Sequence, residues 1–282
     1  MSATRLFLIQ FGAERVSKRL SLHQGPHHLY WEPLIGVVVE TSAGWVLLDT
    51  GMSRAAHEDR ENFAAYEAGC VGAPNRETPW HLYPSPPEHG YNWVLGESPL
   101  VSGLATVGLE PKDLAMAAIS HMHVDHSGGI PELSRAGVPI VIQGLELQFV
   151  RSGEVGTGDG FFSRDWTDPE TTWQILSGDV EIAPGVHVIS TPGHTPGHQS
   201  FRVDLPESGT WLFSGDAADL GQNFLDNVPC GSCQGGGEHA EQRAHESLAK
   251  LISIARETDA RIVPGHDQFV FNAAKHPKGG HR

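Results

Sequence analysis

Short apolar runs recur along the chain, each ending in small or polar residues. Ile35-Gly36-Val37-Val38-Val39-Glu40-Thr41 is β-branched and predicts a strand. Ser42-Ala43-Gly44 turns the chain, and Trp45 to Asp49 returns as its hairpin partner. Arg5 to Phe11, Met116 to Ser120, Pro139 to Ile142, Val186 to Ser190, Ser200 to Val203, Trp211 to Ser214 and Arg261 to Pro264 predict further strands. Residues 12–33, polar with Tyr30 and Trp31 as punctuation, read as a loop. The clearest helix covers residues 238–257, where Ala244, Leu248, Leu251, Ile252 and Ala255 repeat at helical spacing. Shorter helices are predicted over Arg60 to Ala68, Leu100 to Leu104, Leu109 to Leu114 and from Leu145 to Arg151, with a glycine-rich loop over Gly153 to Gly160. Residues 53–100 are the least regular stretch. A loop this long inside a compact chain is usually functional, so its aromatics, Trp80, Tyr83, Tyr91 and Trp93 among them, either wall a pocket or cover the core.

No internal repeat or linker interrupts this pattern. The expectation is one α/β domain over residues 1–282, layered sheets with outer helices, carrying a loop-rich insertion at about 53–100. The net charge of −15 argues against nucleic acid or an anionic membrane surface as partner. No run approaches the roughly 18 apolar residues of a membrane helix. The N-terminal apolar stretch is too short for a signal peptide, and Cys70, Cys230 and Cys233 cannot make an even disulfide framework, so a cytoplasmic location is expected.

Candidate chemistry concentrates at strand ends. His121-Met122-His123-Val124-Asp125-His126-Ser127-Gly128-Gly129 follows the apolar run Met116 to Ser120 and reads as a loop. His194, Asp216 and His266 each repeat the setting of apolar strand, small residue, then ligand type. If those strand ends share one edge, His121, His123, Asp125, His126, His194, Asp216 and His266 converge. Five imidazoles and two carboxylates are the inventory for two divalent ions. Zinc is the expected metal, with iron, cobalt and manganese open.

The set His-x-His-x-Asp-His, Thr-Pro-Gly-His, Ser-Gly-Asp and Pro-Gly-His resembles the metallo-β-lactamase superfamily, in that order, across residues 35–267. The resemblance implies an αββα sandwich with the metals at one edge. It implies one metal on His121, His123 and His194, another on Asp125, His126 and His266, and Asp216 as the bridge. Leu48-Asp49-Thr50-Gly51, Ser98-Pro99-Leu100, Leu109 to Leu114 and Thr191 to Ser200 are similar to the N-acyl-homoserine lactone lactonases of that superfamily. The implied activity is opening of a lactone ring by a metal-activated water, with Asp125 as proton shuttle and a small-molecule lactone as partner. A different lactone, an ester or a glyoxalase II-like thioester is the alternative, and a homodimer is left open.

One position departs from that branch. A tyrosine usually stands three residues after the bridging aspartate, against the lactone carbonyl; here it is Asp219, a candidate substrate contact whose ionised form would repel an oxyanion. Tyr30, Tyr83 and Tyr91 are the substitute donors considered. Asp49 either orients a ligand histidine or caps a turn. His198 reads as structural. Cys230 and Cys233 are either spare thiols or half of a zinc site with His239 and His245.

Overall fold

The strands gather into two sheets stacked face to face. In this computed structural model the described residues are 3–71, 76–77, 92–94, 96–273 and 276–282. The first sheet holds β1 (Arg5–Ser17), β2 (His28–Thr41), β3 (Gly44–Leu48), β4 (Arg76–Glu77), β5 (Asn92–Val94), β6 (Leu114–Ala118), β7 (Ile140–Gln143) and β8 (Trp173–Leu176). Its order is β5-β1-β2-β3-β6-β7-β8, with β4 beside β2. The second holds β9 (Val180–Ala183), β10 (Val186–Ser190), β11 (Gln199–Leu205), β12 (Gly209–Phe213) and β13 (Arg261–Val263), in the order β13-β12-β11-β10-β9.

Alternation of side chains sets the layers. Val37, Val39, Val46, Leu48 and Val141 of the first sheet meet Val186, Val188, Phe201, Val203, Phe213 and Val263 of the second. The opposite faces carry Val38, Leu47, Ile140 and Ile142, against Leu100, Leu104, Leu133 and Leu147 of helical segments, and Leu212, against Leu251. The result is helix, sheet, sheet, helix: the αββα sandwich. No helix among the described residues is long and apolar enough to cross a membrane.

Strand direction explains why the chemistry converges. β10, β11 and β12 are successively antiparallel, and β13 is parallel to β12, so β10, β12 and β13 all run the same way. Their C-terminal ends therefore lie on one edge, and those ends lead to His194, Asp216 and His266. In the first sheet β3 and β6 are parallel, which sets Asp49 beside Ser120 and the His121 cluster.

Three sequence expectations are corrected. Residues 12–33 are not simply a loop: β1 runs to Ser17, β2 begins at His28, and their register extends from Arg5↔Glu40 to Ser17↔Leu29. Glu14 and Glu32 hid this by breaking the apolar pattern, yet both are only 3% exposed. Leu109 to Leu114 contains one 3-10 turn, Pro111–Asp113, and Leu114 already opens β6. The metal-type cluster is a loop only as far as His123; Val124–Ser127 form a helical turn that carries Asp125 and His126. The expected helix at 238–257 is Ala240–Thr258, and Arg60 to Ala68 lies within the helix Arg60–Val71.

Candidate metal centre

All seven sequence-predicted donors come together and all are buried. They form two groups, His121, His123, His194 and Asp216, then Asp125, His126 and His266; within each, the donor atoms lie within 4.8 Å of one another. In the first group His121 Nε2 is 2.8 Å from His123 Nδ1 and 3.2 Å from His194 Nε2. In the second, His126 Nε2 is 3.0 Å from Asp125 Oδ2 and 3.1 Å from His266 Nε2. Asp216 serves both. Its Oδ2 is 3.3 Å from His194 Nε2, and its Oδ1 is 3.1 Å from both His126 Nε2 and His266 Nε2.

The outer nitrogens decide which way the lone pairs face. His194 Nδ1 lies 2.8 Å from the Ser232 carbonyl oxygen, and His266 Nδ1 lies 3.0 Å from that of Pro33. His123 Nε2 is 3.2 Å from Gln234 Oε1, and His126 Nδ1 is 3.1 Å from Asp49 Oδ2. Each of these partners is an acceptor, so each ring carries its proton outward and turns a bare lone pair inward. Lone pairs facing one another at such distances repel unless a cation lies between them. A tetrahedral zinc with bonds of about 2.0–2.1 Å would hold its ligand atoms roughly 3.4 Å apart. The donor set therefore fits two divalent ions.

Electrostatics separates the two groups. Burial, then the neighbouring imidazoles, pushes His121 well below the ordinary histidine value. Burial, followed by His194, brings His123 down to about 4. Both rings stay neutral donors. Burial also opposes charge on His126 and His266, but the carboxylates of Asp125, Asp216 and Asp49 around the first, and Asp216 and Glu32 around the second, outweigh it and raise both. The Asp216 carboxyl, despite burial, is held well below its usual range by His126, His266 and His121.

A layer of polar residues fixes the loops. Asp49, at φ 58°, takes Ser120 N–H at 2.7 Å on Oδ1 while Oδ2 holds His126, so it does both things the sequence left open. His198, read as structural, accepts Asp216 N–H at 3.0 Å and so positions the bridging residue. Three positioning residues escaped the sequence reading. Glu146, fully buried, accepts Met122 N–H at 3.0 Å, Thr195 O–H at 2.7 Å and Gly197 N–H at 3.0 Å, tying the His121–His123 loop to the His194 loop. Gly197 is required there, because a Cβ would sit 2.1 Å from Glu146 N. Ser127 O–H donates to buried Asp165 at 2.8 Å. Gln234 both holds His123 and donates its N–H to the His194 carbonyl at 2.7 Å. Helical spacing between Glu146 and the chain before it carried no hint of this role; a fully buried glutamate is the signal, and burial is invisible in sequence.

A cavity of about 150 Å³ opens beside the donors, walled by His123, Asp125, His194, Asp216 and His266 on one side. Glu14, Glu32, Tyr66 and Asp219 line it as well. Asp219 is buried, and burial, then Asp216, raises its carboxyl well above the usual range. Tyr30 is already committed: its O–H donates to Glu32 Oε2 at 2.5 Å. Tyr83, Tyr91 and Trp80 lie outside the described residues. Among the described residues Tyr66, on the helix Arg60–Val71, is the tyrosine that reaches the cavity wall, with its hydroxyl donating to Glu14. Cys230 and Cys233 are free thiols, and among the described residues no metal-type group includes them, His239 or His245.

A family model for the metallo-β-lactamase superfamily matches residues 35–266, most of the chain. The chain belongs to the metallo-β-lactamase superfamily. All seven candidate donors fall within the matched span. Within this superfamily the chain is 28% identical to an N-acyl homoserine lactonase of Bacillus cereus over 270 residues, 95% of this chain and 94% of the relative. It is 29% identical to the N-acyl homoserine lactonase of Bacillus thuringiensis, covering 83% of this chain and 81% of that one. Among solved structures, a quorum-quenching N-acyl homoserine lactone hydrolase superposes with a TM-score of 0.77 at 26% identity, covering 98% and 97% of the two chains. A structure of N-acyl homoserine lactone hydrolase with N-hexanoyl-L-homoserine bound at its catalytic metal centre superposes with a TM-score of 0.75 at 26% identity, covering 98% of each chain.

Proposed function

We propose that this chain is a dinuclear metal-dependent hydrolase that opens the ring of an N-acyl homoserine lactone. The observation that carries the reading is the placement of Asp216, with one carboxylate oxygen turned to each donor group in the wall of a cavity. The relatives named for this activity, spanning nearly the whole chain, supply the substrate. His121, His123 and His194 would hold one ion, Asp125, His126 and His266 the other, with Asp216 between them. Nitrogen and carboxylate donors in small groups favour zinc.

Two such ions supply a water of lowered pKa and a polarised carbonyl. The chain's residues do the rest. Asp125, with Oδ2 3.0 Å from His126 Nε2, lines the cavity, and as an ionised metal ligand it would accept the proton of the attacking water. As the new C–O bond forms and the ring C–O bond breaks, Asp125 returns that proton to the departing ring oxygen. The product is a hydroxy acid, and one water is consumed. The imidazoles, each locked by an outer acceptor, keep the donors from rotating out of place.

Metal analysis followed by a lactone panel tests this, with an aryl ester and a thioester as controls. Two ions per chain and ring opening of acyl homoserine lactones are expected. Two ions with no lactone opened would overturn the substrate and leave the metal centre standing. Asp216→Asn should lower the metal content; unchanged content and activity would overturn the bridging role.

A further inference from the structure

Glu14 and Glu32 are direct register partners on β1 and β2. Residues paired this way point to the same face with Cβ atoms about 4.5–5.5 Å apart, and like charges there destabilise a sheet. Both glutamates are nonetheless buried, both line the cavity beside the metal donors, and each already receives a tyrosine hydroxyl. Asp219 faces the same cavity from the turn after Asp216. It is 5% exposed, and its Oδ1 is buried without a hydrogen-bond partner. Among the described residues no lysine or arginine lines this cavity. Three acids thus share a small buried space whose basic side chains, His123, His194 and His266, are all taken up as candidate metal donors. Such groups are costly to bury unless something pairs with them.

We propose that this wall is a receptor for a positively charged nitrogen, an ammonium or guanidinium carried on the acyl arm of the lactone. The inference rests on the hydrolase reading, which places the scissile carbonyl at the seven donors. Glu14, Glu32 and Asp219 line the same cavity as those donors, so a substrate seated there would meet them. Spacing argues for an organic cation over a third metal ion. The two groups close enough to hold an ion are the ones already described, and the three acids form no further group of that kind among the described residues. An ammonium or guanidinium satisfies several acceptors through separate N–H bonds, which suits carboxylates spread around a cavity. The tyrosines, each donating to one glutamate, would hold those carboxylates in place for it.

The test uses the metal-loaded full chain at fixed ionic strength and two lactones of equal arm length, one arm ending in methyl and the other in ammonium. The ammonium lactone is expected to show at least tenfold higher kcat/KM, and this ratio should collapse towards one in Glu14→Gln/Glu32→Gln. A second readout avoids turnover and variant folding. Hexylammonium should raise the melting temperature of the unmodified protein and compete with substrate, while hexanol should do neither. Equal or better turnover of the methyl lactone, with no effect of hexylammonium, would overturn the cation site and leave the lactonase reading intact. If neither lactone opens, the lactonase reading fails, and the melting shift with hexylammonium still decides the cation site by itself.

Discussion

Asp49 Oδ2 lies 3.1 Å from Nδ1 of His126, while its other oxygen takes the Ser120 N–H at 2.7 Å. One side chain thus fixes both a donor ring and the turn in front of His121. Asp49→Ala should loosen His126 first. Loss of such an outer partner typically costs 10–100-fold in metal affinity. Chelator competition should show that the ion on Asp125, His126 and His266 is released earlier than in the unmodified protein. The other ion should be held more nearly as before. Equal affinity of both ions with and without Asp49 would refute this.

Glu146 gathers three donors from two loops in a fully buried place. Glu146→Ala leaves Met122 N–H, Gly197 N–H and the Thr195 hydroxyl without that acceptor. Each unsatisfied buried group costs about 1–3 kcal/mol, so a loss of at least about 3 kcal/mol is expected by urea unfolding. Gln at this position keeps one acceptor oxygen and should lose less. A change below about 1 kcal/mol for Ala would show that the loops are held elsewhere.

Asp165 supplies a pH prediction of definite sign. Burial raises its carboxyl to about 6, against the Ser127 hydroxyl and Arg164, which act to lower it. In the unfolded chain an aspartate titrates near 3.9. Between those values the unfolded chain has released a proton that the folded chain retains. Stability from this group is therefore present at the acidic end and lost as pH rises towards about 6. Asp165→Asn removes the dependence, so the variant should gain on the unmodified protein from pH 4 to pH 7, at no more than about 1.4 kcal/mol per pH unit. Parallel stability curves for the two would contradict it.

Leu251 separates packing from the site. It is completely buried between the helix Ala240–Thr258 and the outer face of β12. Leu251→Ala should cost about 2–5 kcal/mol and lower the melting temperature, yet leave two ions bound per folded chain. Loss of metal at temperatures where the variant is still folded would mean that the helix grips the centre more directly than its packing implies.

The convergence of the candidate donors was legible in the sequence because each group follows an apolar strand with a small residue, and shared strand direction then brings those ends together. Asp125 and His126 were found as residues although their helical turn was not. The outer acceptors were not legible for a physical reason. Ser232 and Pro33 act through backbone carbonyls, which every residue has. Glu146 looks like any helical glutamate until its burial is known. Glu14 and Glu32 misled directly: polar residues inside long strands made β1 and β2 look shorter than they are. A sequence pattern assumes that acids face water, and the cavity beside the candidate metal centre reverses that assumption.

His126 and His266 stand 3.1 Å apart in space and 140 residues apart along the chain. The half-centre they form with Asp125 therefore cannot exist until both sheets have docked, because loop closure of that length must come first. A nascent chain can offer only the His121-to-His126 segment as a local chelate. The order of assembly then follows from topology. Early metal capture would then be weak and reversible, tight retention of a second ion would mark the end of folding, and the rate at which a refolding chain becomes resistant to a chelator would report sheet docking.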